Sequence, residues 1–109
     1  MNCIDEHKCI SYLGSEEEIN ISLDIIDGYA MDDYDFTVEV YCSSYRKQIF
    51  TKREARRVDA NNYKVVVDTN ITGVGDMKIR VVARIPNIEY PDGYREAVTY
   101  LDPNVTVKR

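Results

Sequence analysis

Tryptophan is absent from the 109 residues, histidine occurs once and cysteine three times. Each scarcity narrows what the chain can do. His7 is the only imidazole, and it sits in the polar segment MNCIDEHKCISYLG. A Ser-His-Asp or Cys-His device would need it held against a nucleophile from far along the chain. No nucleophile-elbow pattern is present, and GVGD at 73–76 lacks the lysine and the following helix of a phosphate loop. Cys3, Cys9 and Cys42 form an odd, sparse set. They read as reduced thiols in a cytoplasmic setting, with a Cys3–Cys9 bridge as the alternative. No apolar run approaches the roughly 20 residues of a membrane span. The N-terminus has no basic start, apolar stretch or small-residue cleavage site, so it does not read as a signal peptide. Internal repeats, low-complexity tracts and linkers are missing too.

What is present is an ordinary globular composition, 44% hydrophobic and 30% charged, with nine tyrosines. The length suits one domain with one core. The net charge of −5 hides a split. Residues 1–44 carry 11 acidic side chains against Lys8 alone, whereas residues 45–109 carry 13 basic and 8 acidic ones. If the halves face different ways, the domain is an electrostatic dipole suited to steering or head-to-tail stacking. If strands from both halves interleave, the split averages out.

Period-2 alternation dominates the chain. Ile19, Ile21, Leu23 and Ile25 share one face, as do Phe36, Val38, Val40 and Cys42, and as do Met77, Ile79, Val81, Ala83 and Ile85. Such runs are half-buried antiparallel strands. Weaker strands are expected at KQIFTK, a charged edge, at NYKVVVDT, REAVTYLD and NVTVKR, and at KCISYL. TKREARRV could form a helical turn. Turn signals fall at Asp27-Gly28, 59–62, 73–76, Asp92-Gly93 and 102–104. The fold class that follows is all-β: an immunoglobulin-like antiparallel sandwich of about seven short strands over residues 15–109, preceded by an arm or edge strand at 1–14. The Cys…Trp…Cys core of antibody domains is absent, and an OB-like barrel is the alternative.

Few residues offer chemistry. Glu16, Glu17 and Glu18 alternate between two faces and lack a cleft that would set one pKa apart. Cys3, His7 and Cys9 give only three ligands in a spacing unlike the common zinc patterns. Asp27, Asp32, Asp33 and Asp35 are oxygen donors of the kind calcium takes, without a calcium-loop spacing; an acidic solvated loop is the alternative. No catalysis, metal or cofactor is expected. The basic segment 45–58 sets Arg46, Lys47, Lys52, Arg53, Arg56 and Arg57 beside Tyr45 and Phe50. The acidic whole speaks against nucleic acid, so these cations read as a protected edge or a protein-binding face. Outward tyrosines, Tyr41, Tyr90 and Tyr94, suit an interface. The connection IPNIEYPDGY, with Tyr90, Asp92 and Tyr94, is either a binding loop or a cap in which Ile88 and Tyr90 fold back over the open end.

The string DYDF at 33–36, the strand ending VDT at 67–69, the Gly73-x-Gly75 turn and IPNIEYPDGYRE at 85–96 resemble small β-sandwich modules of phages and prophages of gut Bacteroidetes, found among virion or tail genes. The resemblance spans roughly residues 33–98 and rests on strand and turn patterns. It implies a structural part of a tail, baseplate or collar that acts through protein–protein contacts. Its partners would be other virion proteins or itself, as a homo-oligomer in the particle, with no nucleic acid or membrane. It also implies a chain made in the host cytoplasm and located in the virion. An adhesin-like or carbohydrate-binding module is the alternative, with Tyr90 and Tyr94 as contacts.

Overall fold

Alternating runs become strands where their apolar faces can cover one another. The computed structural model describes residues 9–42 and 46–109. Within them lie ten strands: β1 (Cys9–Tyr12), β2 (Glu16–Ser22), β3 (Asp35–Tyr41), β4 (Lys47–Thr51), β5 (Arg56–Asp59), β6 (Asn62–Asp68), β7 (Gly75–Asp76), β8 (Lys78–Pro86), β9 (Tyr94–Leu101) and β10 (Val105–Lys108). They form three sheets, ordered β2-β6-β5, β4-β3-β8-β9 and β1-β10-β7. Around seven strands were expected; β1 falls in KCISYL as anticipated, and the strands that no alternating run announced are β5 and β7, each four residues or shorter. Twelve of the twenty core side chains are those of the three main alternating runs on β2, β3 and β8 or just beyond their ends: Ile19, Ile21, Leu23, Phe36, Val38, Val40, Cys42, Met77, Ile79, Val81, Ala83 and Ile85. Tyr63, Val65 and Val67 of β6 complete the opposing face. Phe36 anchors the centre, with the rings of Tyr63 and Tyr34 edge-on at 5.1 and 6.3 Å.

Four expectations are corrected. The strands are not all antiparallel: β1 runs parallel to β10, from Cys9 opposite Val105 to Tyr12 opposite Lys108. The three sheets close no barrel, so the OB-like alternative is gone. TKREARRV makes only a turn, in which the Glu54 and Ala55 N–H groups donate to Thr51 O, before Arg56–Asp59 joins β6 as a strand. Ile25 is 61% exposed, because β2 ends at Ser22 and the chain leaves the sheet.

One short element escaped the alternation reading. Thr69–Thr72 is a single helical turn, α1, capped by Asp68, whose side chain accepts from Asn70 N. It is stopped by Gly73, whose φ of 81° suits glycine alone. Thr69 ties this turn to the 13–15 bend, donating through Oγ1 to Ser15 O and accepting from Gly14 N. At the far end of β9, Asp102–Asn104 interrupts the strand around Pro103, and β10 then pairs with β7 and β1. The Met77 N–H donates to Val105 O at 2.8 Å and carries the ladder across that junction.

Candidate interaction site

Three connections meet at one end of the molecule: 23–34 between β2 and β3, 60–61 between β5 and β6, and 87–93 between β8 and β9. β8 and β9 pair without a shift from Ile79–Leu101 to Pro86–Tyr94, so the excursion shrinks to a seven-residue hairpin tip. That tip is braced by its own backbone. Asn87 N donates to Gly93 O at 2.9 Å, Tyr90 N to Asn87 O at 3.2 Å and Gly93 N to Tyr90 O at 2.9 Å. The Asn87 carboxamide accepts from Glu89 N, as turn-forming asparagines do.

Ile88 stands at this tip with 98% of its surface exposed, and Tyr90 with 47%. Ile88 therefore does not fold back to cap the open end. An open groove of about 530 Å³ runs beside it, lined by Asp27, Tyr29, Pro86, Asn87, Ile88 and Gly93. Its far wall is the tight turn 26–29, where Ile26 and Tyr29 exchange backbone hydrogen bonds of 2.9 and 2.8 Å. Asp27 and Gly28 both take positive φ there, the mark of the mirror-image hairpin turn. Arg95 at the base of β9 grips the Asp27 carboxylate through Nε and Nη2, at 2.9 and 2.8 Å. Two loops distant in sequence are thus joined.

The other candidate residues scatter. Asp92 is exposed on the tip, but Tyr94 belongs to β9, half-buried, with the Arg84 guanidinium 5.6 Å from its ring centre. Lys47 lies at the end of β3, 3.0 Å from Glu39, and Arg46 precedes it, exposed. Lys52 reaches the start of β3, donating to the Asp32 and Tyr34 carbonyls. A seven-residue strand, roughly 20 Å, separates these points. Arg53 is exposed in the following turn, and Arg56 and Arg57 lie on β5, the edge of the other sheet. The cations span the length of the sheet and do not form one patch.

The four loop aspartates are engaged within the chain. Asp32 takes Arg57 Nε and Nη2 and the Tyr63 hydroxyl, the last at 2.6 Å. These hydrogen bonds, that of Arg57 foremost, hold its carboxyl below the usual range, against a smaller opposing effect of burial. Asp33 accepts from Ala30 N, Asp35 faces Arg84 at 3.4 Å, and Asp27 holds Arg95. Among the described residues no cluster of three or more His, Cys, Asp or Glu side chains could hold a metal ion.

Among the described residues, six ion pairs join the acidic first part of the chain to the basic remainder: Glu18–Lys64, Asp27–Arg95, Asp32–Arg57, Asp35–Arg84, Glu39–Lys47 and Glu39–Arg80. Burial pushes the Glu39 carboxyl up, but Lys47 and Arg80 outweigh it and leave the group below its ordinary value. The two halves interleave, and the charge split is largely answered inside one molecule. Cys9 is disulfide-bonded, which corrects the expectation of three reduced thiols, while Cys42 is a buried free thiol. Cys3, His7 and Tyr45 lie outside the described residues, and with them the three-ligand set. No described helix is long and apolar enough to cross a membrane.

This is a mostly β protein with a braced hairpin tip that holds Ile88 in water. No family model, curated protein or solved structure matches the chain.

Proposed function

We propose that this chain is a non-catalytic interaction module, a structural or assembly subunit that works through protein–protein contacts at its hairpin tip. The observation that carries the reading is Ile88. A branched apolar side chain fully in water, on a loop held by four local hydrogen bonds, gains by burial against a partner. Because the tip is already braced, little conformational entropy is lost when it docks. Tyr90 beside it adds contact area and a polar end.

The immunoglobulin-like reading of the fold is supported by strand order. β2-β6-β5 and β4-β3-β8-β9 follow the order B-E-D and C′-C-F-G of such sandwiches. The loops 23–34 and 87–93 then correspond to the B–C and F–G loops, which those domains use for binding. The virion as the setting, with other virion proteins or further copies as partners, rests on the resemblance of residues 33–98 alone. Asp92 and Tyr90 belong to the contact surface in this reading. Arg46, Lys47, Arg53, Arg56 and Arg57 fall away from it as a group.

The test is the mass in solution by light scattering, with a photo-crosslinking residue at position 88 in the presence of proteins encoded beside this chain. Self-association or a defined crosslink that disappears in Ile88→Ser/Tyr90→Ser, with thermal stability unchanged, is the expected result. Because the contact surface at the tip centres on Ile88 and Tyr90, which carry no charge, raising the salt should change it little. A monomer that crosslinks to nothing from position 88 would refute the reading.

A further inference from the structure

Sheets end in edges, and the edges here are not alike. β2 carries Glu16, Glu17 and Glu18, with Glu17 turned inward. β4 begins at Lys47, and β5 carries Arg56, Arg57 and Asp59 with a register shift between the last two. Inward charges, edge lysines and bulges are the devices that keep free edges from pairing with other chains. β9 has none of them over Ala97–Leu101, where the residues are Ala, Val, Thr, Tyr and Leu. Its register against β8 is unbroken over all eight residues. β1 pairs with β10, from Val105 onward, in another sheet, and no described strand pairs with the outer edge of β9.

The packing beneath that edge is also incomplete. Ile79, Val81 and Ala83 on β8 are fully buried, but their neighbours Leu101, Thr99 and Ala97 on β9 are only half-buried. A groove of about 280 Å³ opens there, lined by Ser22, Leu23, Asp24, Ile26, Thr99 and Leu101. On the other face of β9, Val98 is 44% and Tyr100 68% exposed.

We infer that the outer edge of β9, with this groove, is a docking site for an extended strand of a partner protein. That strand would have apolar residues at alternate positions and a lysine or arginine near Asp24. An added strand hydrogen-bonds to the β9 backbone and sends alternate side chains to opposite faces. One set enters the groove against Leu23, Ile26 and Leu101, and the other lies beside Val98 and Tyr100. Charge complementarity selects the basic residue. Asp24 and Glu96 are exposed, and neither makes an ion pair among the described residues, whereas Arg95 is held by Asp27. This surface is separate from the hairpin tip, so either site can fail without the other.

The probe is a short synthetic peptide of alternating valine and threonine with a lysine at each end, titrated against the whole chain. Binding is read by calorimetry and by amide hydrogen exchange. The expected result is new protection confined to 95–101. Binding should be lost when alternate peptide nitrogens are methylated, since those amides form the ladder. Asp24→Lys, an exposed site that leaves folding intact, should weaken binding by about five- to tenfold. It should also reverse the preference toward a peptide ending in glutamates. Ile88→Ser/Tyr90→Ser should bind the peptide as the unchanged chain does, which separates this site from the tip. No binding, equal binding of the methylated peptide, or protection at 87–93 would overturn the inference. So would slow exchange at 95–101 before peptide is added, because the chain itself would then cover the edge.

Discussion

Replacing Tyr34 by phenylalanine should make the protein more stable. Tyr34 is 3% exposed and its hydroxyl has no hydrogen-bond partner among the described residues. A buried hydroxyl that gives up water without a replacement carries a penalty of roughly 1–3 kcal/mol. Tyr34→Phe removes the penalty and keeps the ring, including its edge-on contact with Phe36. Some packing is lost with the oxygen atom, so the expected gain is about 1 kcal/mol. For a domain of this size that is a rise of about 4–8 °C in Tm. In urea melts the midpoint should move up with an unchanged slope. Burial also pushes the Tyr34 pKa up. The sign is then fixed: the unfolded chain loses this proton first, so stability is complete below about pH 10 and falls as pH rises from there. The advantage of Tyr34→Phe should therefore widen in alkali. Tyr63→Phe is the control. Its hydroxyl donates to Asp32, and its pKa is pushed up to about 12, by burial first and by Asp32 second. Removing that hydroxyl should destabilise. Opposite signs for two Tyr→Phe changes in one core are the signature; a Tyr34→Phe protein less stable than the original would refute the reasoning.

Phe36→Ala should destabilise by about 3–5 kcal/mol, measured by urea denaturation, because it empties the position against which Tyr34 and Tyr63 pack. Cys42, buried and with its thiol pushed up mainly by that burial, should resist iodoacetamide in the native protein and label fully once urea unfolds it. Asp32→Asn should flatten the acid side of the stability curve. The carboxyl is held low by Arg57 and Tyr63, so its contribution is present above the ordinary carboxylate range and is lost as pH falls through the lowered value. Melting curves from pH 6 downward check this, and an unchanged acid slope in the variant would contradict it.

Strand and core were legible because alternation is a local property with a long-range consequence. In Phe36-Thr37-Val38-Glu39-Val40 only one register puts Phe36, Val38 and Val40 together, and slipping by one residue would bury Thr37 and Glu39 instead. The same pattern fails at Ile25, where the strand has already ended. It also says nothing of α1, whose signals are the cap at Asp68 and the stop at Gly73. The candidate site was half legible. Asp-Gly, the prolines and the tyrosines located the 87–93 tip, but they left open whether Ile88 points inward or outward.

Residue order alone settled that this chain makes amphipathic strands, where most of them run and which side chains form the core. Each of those facts depends on neighbours two residues apart. Tertiary structure alone decided which strands are adjacent, that β1 joins β10 in parallel, and that Asp27, Asp32 and Asp35 meet Arg95, Arg57 and Arg84. It likewise decided that Ile88 stands in water and that, among the described strands, only β8 pairs with β9. A charge or an edge finds its partner across the fold, and no local period records that distance.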